Sequence, residues 1–171
     1  MSGCVLWLSG LPCSGKTTIS KAVMSKLPES VKVEHLDGDA LRKIICSDLG
    51  FSKEDRAENL KRVSMLAAYL SQDRIVLCSF VSPYKKDRDL IRQKVCSFIE
   101  VFVDCPVEEC IKRDVKGMYK KALAGEITNF TGVGAPYEKP ESPEIICHTN
   151  KETVDESANR IISYLSVEGF L

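Results

Sequence analysis

Residues 10–17 have the types and the spacing of a loop that binds phosphate groups. They match the pattern G-x-x-x-x-G-K-[ST] at every fixed position, and they separate an apolar run at 4–9 from a helix-like segment that begins at Thr17. In such a loop the glycines let successive backbone N–H groups point at a polyphosphate, the lysine spans the β and γ phosphates, and the hydroxyl binds magnesium. We therefore predict that the chain binds ATP or GTP with Mg²⁺, with Lys16 catalytic and Thr17 a metal ligand. The predicted nucleotide-binding residues of this loop are Gly10, Leu11, Pro12, Cys13, Ser14, Gly15, Lys16, Thr17 and Thr18.

The sequence also favours ATP over GTP. A guanine-selective element of the form N-K-x-D is missing, because the one Asn-Lys pair, at Asn150, continues as Glu152-Thr153. A motor ATPase normally needs a larger body than 171 residues. A small protein with a phosphate-binding loop and a basic insertion is typical of kinases that phosphorylate a nucleotide or a small metabolite.

A second group of chemically useful side chains follows the second apolar run. Asp37, Asp39 and Arg42 lie in the stretch LDGDALR. Ligands of a doubly wound sheet meet the carboxyl ends of its strands, so both carboxylates would emerge beside the phosphate-binding loop. Asp39 can then accept a hydroxyl proton or help hold magnesium, and Arg42, one helical turn later, can present a guanidinium to an acceptor anion. The alternative is an Asp that caps a helix beside a surface Arg.

The elements that position these residues are predicted from hydrophobic periodicity. Short apolar runs of strand length alternate with longer segments of helical spacing, which indicates βαβ units and a parallel sheet covered on both faces. The predicted strands are 4–8, 31–36, 75–80, 98–103 and a possible fifth at 144–147; the predicted helices are 17–27, 53–70, 85–95 and 154–165. We predict one three-layer α/β domain over 1–171, with a mostly parallel sheet of about five strands.

Composition and charge exclude several classes of protein. Of the 171 residues, 44% are hydrophobic and 28% are charged, as in a globular domain rather than a disordered or fibrous chain. The 24 Lys and Arg balance 24 Asp and Glu, which disfavours a globally basic surface. The start MSGCVLWLSG lacks the regions of a secretory signal, and the eight cysteines form no C-x-x-C pair. We expect a cytoplasmic protein with reduced thiols and with neither nucleic-acid nor membrane partners.

The stretch from 113 to 143 is too long for an ordinary connection in a compact domain. It combines the lysines at 116, 120 and 121 with the aromatic residues Tyr119, Phe130 and Tyr137, and its apolar periodicity is weak. A long insertion of this kind is usually either a disordered loop or a lid over a site. We predict a lid over about 113–137, called the lid segment below.

Five short motifs, taken together, carry a resemblance to a known family. The order of P-loop, D-G-D-x-x-R, L-G-F-S, F-[IV]-S-P-[YH] and K-G-[LM]-Y-K-K along nearly the whole chain resembles that of the adenylylsulfate (APS) kinases. These enzymes phosphorylate the ribose 3′-hydroxyl of adenosine 5′-phosphosulfate with ATP. The resemblance implies a P-loop kinase fold, a small nucleotide acceptor, magnesium and a homodimer.

The resemblance also implies roles for single residues on the acceptor side. Asp39 would lie near the acceptor 3′-hydroxyl and magnesium, with Asp37 supporting the metal shell. Ser82 is implied as a catalytic residue near the transferring phosphate, with Val81 beside it. The residues implied to bind the acceptor are Asp37, Asp39, Arg42, Phe51, Arg56, Asn59, Val81, Ser82, Lys116 and Phe130.

Within that set, Arg42, Arg56 and Asn59 would hold the phosphosulfate, and Phe51 and Phe130 would clamp the acceptor adenine between two rings. Lys116 and the pair Arg113-Asp114 would belong to the closing lid, with Arg113 also contacting ATP. The alternatives without a role in binding or catalysis are core packing for the two phenylalanines, a helix-surface charge for Arg62, and a strand-end cap for Asp104.

Two other functions stay open at this point. Leu123 replaces a usually basic lid residue, and Val133-Gly134-Ala135 replaces a more polar stretch. The acceptor could therefore be another nucleotide with a sulfate-like tail, such as a cytidine diphosphoramidate used in capsule modification. A non-catalytic ATP-binding module is the second alternative, although it would have no use for Asp39 and the two arginines.

Overall fold

The centre of the molecule is a sheet of five parallel strands. The computed structural model describes residues 3–171. The strands are β1 Cys4–Ser9, β2 Val33–Asp37, β3 Ile75–Ser79, β4 Phe98–Asp104 and β5 Ile145–His148. They lie in the order β2-β3-β1-β4-β5. All six residues of β1 are buried, which explains its continuous apolar run, because a strand covered on both faces has no polar side.

Helices cover both faces of this sheet and complete the three layers. The helices are α1 Lys16–Lys26, α2 Gly38–Ile44, α3 Lys53–Leu70, α4 Lys85–Lys94, α5 Val107–Arg113, α6 Met118–Leu123 and α7 Val154–Val167. On one face, α1 and α7 pack against Leu6, Leu8 and their neighbours; on the other, α3 and α4 pack around Trp7. Within residues 3–171, no helix is both long enough and apolar enough to cross a membrane.

The predicted fold class is confirmed, and the differences lie in short elements. The second strand begins at Val33 rather than 31, because Val31 is drawn into a turn by its N–H bond to the Pro28 carbonyl. The fifth strand is present at Ile145–His148. Helices α2, α5 and α6 were not predicted, since six or seven residues are too few to show a 3.6-residue period.

Because every strand pair is parallel, all five carboxyl ends meet at one edge of the sheet. The phosphate-binding loop follows β1, helix α2 follows β2, and the turn at 80–84 follows β3. The segment containing α5 and α6 follows β4, and Thr149 follows β5. This edge is where ligands bind in open α/β sheets, so the topology gathers the predicted site residues there.

Candidate active site

The phosphate-binding loop joins β1 to α1 along a path that needs its two fixed glycines. At Gly10, a Cβ atom would come within 2.5 Å of the Val103 carbonyl oxygen on β4. Gly15 has a φ of 109°, in a region that glycine enters without the steric cost of a side chain. The backbone geometry therefore accounts for both glycines of the motif.

Lys16, the first residue of α1, folds its side chain back into the loop. Its Nζ donates to the Gly10 carbonyl at 2.9 Å, to the Leu11 carbonyl at 2.7 Å and to Ser14 Oγ at 3.4 Å. Burial of the ammonium lowers the pKa of Lys16 from 10.5 to about 8. The loop thus holds a desolvated cation against neutral oxygens, which is a strong attractor for a polyphosphate anion.

This lowered pKa predicts that nucleotide binding takes up a proton above about pH 8. Bound phosphates favour the charged lysine, so between pH 8 and 10.5 the empty loop holds a neutral Lys16 and the occupied loop a charged one. Affinity for ADP should consequently fall as the pH rises through this window, and should be insensitive to Lys16 titration below it. Titration calorimetry at pH 9 in two buffers of different ionisation enthalpy measures the uptake. Identical heats of binding in the two buffers would contradict the predicted proton uptake.

Thr17 and Asp37 connect the phosphate-binding loop to the next strand. The Thr17 hydroxyl donates to Asp37 Oδ2 at 2.9 Å, and Asp37 Oδ1 caps α2 by accepting from the N–H groups of Asp39 and Ala40. Burial raises the pKa of the Asp37 carboxyl, but these hydrogen bonds outweigh it and hold the pKa below the ordinary value. A hydroxyl beside an ionised carboxylate is the kind of oxygen donor set that Mg²⁺ takes together with substrate phosphates.

Asp39 lies one residue into α2, and its side chain is 70% exposed. Its carboxylate pairs with Lys116 of the lid segment, and the hydrogen bond to Asp39 raises the pKa of that lysine. The residue that caps α2 is Asp37, so Asp39 has no capping role. The structure therefore brings a solvent-facing carboxylate and a lid lysine together beside the loop, while Asp37 is the carboxylate that contacts Thr17.

Two predicted acceptor ligands, Arg42 and Arg56, both lie near the ring of Phe51. Arg42 donates to the Gly50 carbonyl at 2.8 Å, and its guanidinium carbon lies 4.5 Å from the centre of that ring. Arg56 lies 5.9 Å from the same centre and donates to the Phe51 carbonyl at 3.0 Å. Both guanidinium groups lie at the junction of α2 and α3, without a carboxylate partner in residues 3–171. Arg56 also donates to two oxygens of the lid segment, at residues 129 and 131, so these two half-buried cations lie where α2, α3 and the lid segment meet.

Asn59 and the two predicted ring residues occupy different environments. Asn59 is buried, and its Oδ1 is an unpartnered buried oxygen in residues 3–171. An orphaned buried acceptor is costly, which points to a partner that is absent from the chain itself. Phe51 is 65% exposed, whereas Phe130 packs edge-to-face on Tyr119 with ring centres 5.0 Å apart. Phe51 is therefore largely exposed beside Arg42, whereas Phe130 packs on the aromatic side chain of α6.

The lid segment is partly anchored and partly exposed. Tyr119 on α6 is fully buried against Cys105 and Cys110, and its hydroxyl donates to the Pro12 carbonyl at 3.1 Å. Helix α6 is therefore held by apolar burial despite the weak apolar periodicity of the segment, because its aromatic side chain packs on the phosphate-binding loop. Residues 123–126 are exposed.

Arg113 and Asp114, predicted as lid residues, have distinct local roles. Arg113 Nη1 donates to the Ser14 carbonyl at 3.3 Å, and Nη2 donates to the Thr149 carbonyl at 2.7 Å. Arg113 thus lies against the phosphate-binding loop. Asp114 accepts from the N–H groups of Tyr119 and Lys120, so it stabilises the start of α6.

Ser82 lies in the turn after β3 with its side chain buried. Its hydroxyl accepts from Trp7 Nε1 at 2.9 Å, and its φ is 44°, which is unusual for a residue other than glycine. The neighbouring Val81 carbonyl accepts from the Gly10 N–H at 3.4 Å. The turn therefore contacts the phosphate-binding loop, and the Ser82 hydroxyl is engaged in holding that turn.

Sequence reasoning missed Thr149, which lies directly after β5. Its hydroxyl donates to the Ser14 carbonyl at 2.7 Å. The rule that ligand-site residues follow the carboxyl ends of parallel strands could have found it. For Arg62 and Asp104, the structure agrees with the interpretations that give them no part in substrate binding. Arg62 pairs with Asp48 and Glu58 on the helix surface, and Asp104 pairs with Lys139 and His148 at its strand end.

Comparison with known proteins identifies the relatives of this chain. The model of the adenylylsulphate kinase family matches residues 2–148. An adenylyl-sulfate kinase of Halothermothrix orenii is 50% identical over 171 residues, covering 99% of this chain and 92% of the relative. An adenylyl-sulfate kinase of Gloeothece citriformis is 46% identical and covers 99% and 97% of the two chains.

A solved structure shows the same fold and a similar sequence. The Mycobacterium tuberculosis APS kinase in complex with AMPPNP and APS superposes with a TM-score of 0.93 at 41% identity, covering 96% of this chain and 98% of that one. The match extends over the sheet, the phosphate-binding loop and the lid segment alike, since almost the entire chain is covered. The chain thus belongs to the adenylylsulphate kinase family and is an ATP-dependent phosphotransferase of the P-loop kinase fold.

Proposed function

We propose that this chain transfers the γ-phosphoryl group of ATP to the ribose 3′-hydroxyl of adenosine 5′-phosphosulfate (APS), giving 3′-phosphoadenosine 5′-phosphosulfate. The observation that carries the proposal is the Thr17–Asp37 hydrogen bond of 2.9 Å. It ties the phosphate-binding loop to the start of α2, the helix that bears Asp39 and Arg42. A phosphoryl donor, a carboxylate and an anion-binding surface are thereby adjacent.

Phosphoryl transfer needs positioning and neutralisation of charge more than covalent chemistry. Lys16 would bridge the β and γ phosphates in place of its present carbonyl partners. Mg²⁺, held through Thr17 and the Asp37 and Asp39 carboxylates, would supply further positive charge to those phosphates. Asp39 would accept the hydroxyl proton of the acceptor.

Lys116 would keep the Asp39 carboxylate paired until the acceptor binds. In the chain alone, its ammonium neutralises the carboxylate of Asp39. An acceptor bearing a phosphosulfate offers Lys116 another anionic partner, which would leave Asp39 available as a base. The same movement would draw the lid segment toward the acceptor.

The acceptor tail is proposed to bind Arg42, Arg56 and Asn59. The guanidinium carbons of Arg42 and Arg56 lie 4.5 Å and 5.9 Å from the centre of the Phe51 ring. The tail would accept from these groups and from the Nδ2–H group of Asn59, since the unpartnered Oδ1 of Asn59 needs a donor and cannot bind an anion. Charge-assisted hydrogen bonds contribute about 1.5–3 kcal/mol each, so two or three of them would select a doubly charged tail over a neutral nucleoside. Phe51 and Phe130 are proposed to stack on the adenine.

A coupled assay of ADP formation, run with APS and with cytidine nucleotides side by side, tests the proposed acceptor. The proposal expects turnover with APS and a product that carries phosphate on the 3′-oxygen. Turnover with a cytidine diphosphoramidate but not with APS would show that the cytidine nucleotide is the acceptor. ATP binding without any transfer would indicate a binding module instead of an enzyme.

Replacing Arg56 with alanine should raise the KM for APS and leave the KM for ATP unchanged. If Arg56 contacts the acceptor tail, kcat/KM for APS should fall by about tenfold to a hundredfold, the equivalent of a lost charge-assisted hydrogen bond. Arg42→Ala should behave in the same way. Steady-state kinetics with each substrate varied in turn makes the measurement.

Arg62→Ala is the matched control, because Arg62 lies on the same helix but is paired with Asp48 and Glu58. It should leave both KM values within about twofold, since it removes exposed ion pairs and one hydrogen bond to the Ile45 carbonyl but no proposed substrate contact. Equal increases in the KM for ATP and for APS in Arg56→Ala would place Arg56 outside the acceptor site.

We further propose that the lid segment (113–137) orders over bound nucleotides. Its anchored part around Tyr119 should be protected from hydrogen exchange in the empty enzyme, whereas the exposed residues 123–126 should exchange fast. Adding ADP and APS together should slow exchange in the exposed part, because closure shields the transferring group from water. Equal protection of 123–126 with and without ligands would make the segment a fixed wall.

A homodimer in the cytoplasm completes the proposal. Ile44, Met65 and Tyr69 are 71%, 62% and 70% exposed, and apolar side chains left in water favour burial against a second copy. All eight cysteines are free thiols, as expected in a reducing compartment. Light scattering should give twice the chain mass of 19.0 kDa; a single chain mass at micromolar concentration would contradict the dimer.

A further inference from the structure

Arg88, in the first turns of α4, lies outside every motif assigned to chemistry yet is only 2% exposed. Its Nε donates to Glu100 Oε1 at 3.0 Å, its Nη1 to the Ser82 carbonyl at 2.7 Å and its Nη2 to the Glu138 carbonyl at 2.6 Å. These partners belong to strand β4, to the turn after β3 and to the chain that leaves the lid segment. One buried side chain therefore joins three separate parts of the site region.

The turn that Arg88 holds is under backbone strain. Ser82 has a φ of 44° without being glycine, and such a conformation persists only when its surroundings determine it. Trp7 holds the Ser82 hydroxyl from one side at 2.9 Å, and Arg88 holds the carbonyl from the other. Since the Val81 carbonyl contacts the Gly10 N–H, a shift of this turn is transmitted to the phosphate-binding loop.

The end of the lid segment meets the same guanidinium. The Glu138 N–H donates to the Pro83 carbonyl at 2.8 Å, and Glu138 Oε2 accepts from the Lys85 N–H at 2.6 Å. The ring of Tyr137 lies 5.7 Å from the guanidinium carbon, and its hydroxyl donates to Ser9 Oγ at 3.0 Å. The carboxyl end of the lid is therefore attached to the turn directly, through Glu138, and also through Arg88.

A buried ion pair alone would need only Glu100 as a partner for Arg88. Instead, two of the three hydrogen bonds go to backbone carbonyls in segments that border the nucleotide site. A planar guanidinium can serve all three acceptors at once, whereas a lysine ammonium is a point charge on a flexible stem. This geometry fixes the turn at Ser82 relative to the chain at Glu138.

We propose that Arg88 is a positioning residue for phosphoryl transfer, which fixes the turn at 80–83 against the sheet and ties it to the carboxyl end of the lid segment. This role rests on the proposed function only for the identity of the acceptor. Arg88 acts through Ser82 and Glu138 and does not itself contact substrate. Its removal should misplace the turn and the lid without removing a ligand of ATP.

The test is Arg88→Lys, compared with Arg92→Lys. Lysine keeps a cation beside Glu100 but cannot reach both carbonyls, so kcat should fall by about tenfold to a hundredfold, the cost of an ångström-scale misplacement. The KM for ATP should stay within about twofold. Hydrogen exchange at the amide of Glu138 should accelerate, because its bond to Pro83 is no longer braced. Arg92 also pairs with Glu100, at 3.3 Å, but contacts neither carbonyl, so its lysine variant should leave kcat and that exchange rate unchanged.

Several outcomes would overturn the proposal. Wild-type kcat in folded Arg88→Lys, unchanged exchange at Glu138, or an equal loss of kcat in Arg92→Lys would reduce Arg88 to a structural ion pair. If Arg88→Lys does not fold, Glu100→Gln serves in its place, since it keeps an acceptor for Nε while removing the charge that anchors the guanidinium. A smaller fall in kcat and a smaller rise in the exchange rate of Glu138 are then expected. No change in either quantity would count against the role of Arg88. If APS is not the acceptor, the proposed function fails alone, and the exchange measurement still decides the role of Arg88.

Discussion

Lys16→Ala should reduce kcat by at least about 10²- to 10³-fold, the cost of removing one preorganised donor to transition-state charge. The buried ammonium donates to Gly10, Leu11 and Ser14 within the loop that would hold the polyphosphate. Stability should change little, because desolvation of this cation already opposes folding, as its pKa of about 8 indicates. Turnover and melting temperature, measured on the same preparation, test both expectations.

Lys21→Ala is the matched control, since it removes an exposed lysine from the same helix. It should keep wild-type turnover and melting temperature. If the loss of activity in Lys16→Ala merely follows a loss of folded protein, then Lys16 is a packing residue and its proposed role in phosphoryl transfer is wrong.

Asp39→Asn should reduce kcat by about 10²- to 10⁴-fold, the usual contribution of a positioned general base. The amide cannot accept the hydroxyl proton and is a poorer partner for Mg²⁺. Helix α2 should remain, because Asp37 rather than Asp39 caps it. Single-turnover measurements at saturating ATP and APS separate the chemical step from binding.

Asp73→Asn is a suitable control, because Asp73 lies at the opposite edge of the sheet, paired with Lys32 and Arg74. It should leave kcat unchanged. A variant Asp39→Asn with wild-type kcat and a raised KM for APS alone would make Asp39 a binding residue rather than a base.

The phosphate-binding loop and the sheet were predictable from local patterns. Gly10 and Gly15 are dictated by backbone path, and a loop of consecutive residues carries its geometry with it wherever a strand and a helix flank it. The apolar runs were equally informative, since strands buried on both faces have few alternatives. The short helices α2, α5 and α6 were not predictable, because their positions depend on caps and contacts such as Asp37 at α2 and Asp114 at α6.

The contacts of single site residues were less predictable than motifs of consecutive residues. Asp37 and Asp39 were both assigned to the metal region, and only the structure shows that Asp37 reaches Thr17 while Asp39 pairs with Lys116. Ser82 was assigned to the transferring phosphate, yet its hydroxyl is engaged by Trp7, 75 residues away in sequence. The roles of the site residues stay predictions until the variants above are measured.

The sequence by itself determined the fold class, the phosphate-binding loop and the family, because each depends on residues that are close along the chain or on the order of short motifs. Only the tertiary structure decided which distant groups meet: Thr149 with Ser14, Tyr119 with Pro12, and Arg88 with both Ser82 and Glu138. The physical reason is that parallel strands bring five carboxyl ends to one edge, where side chains and carbonyls pair according to distance and burial. No periodic pattern in the order of the amino acids records which distant groups come within hydrogen-bonding distance.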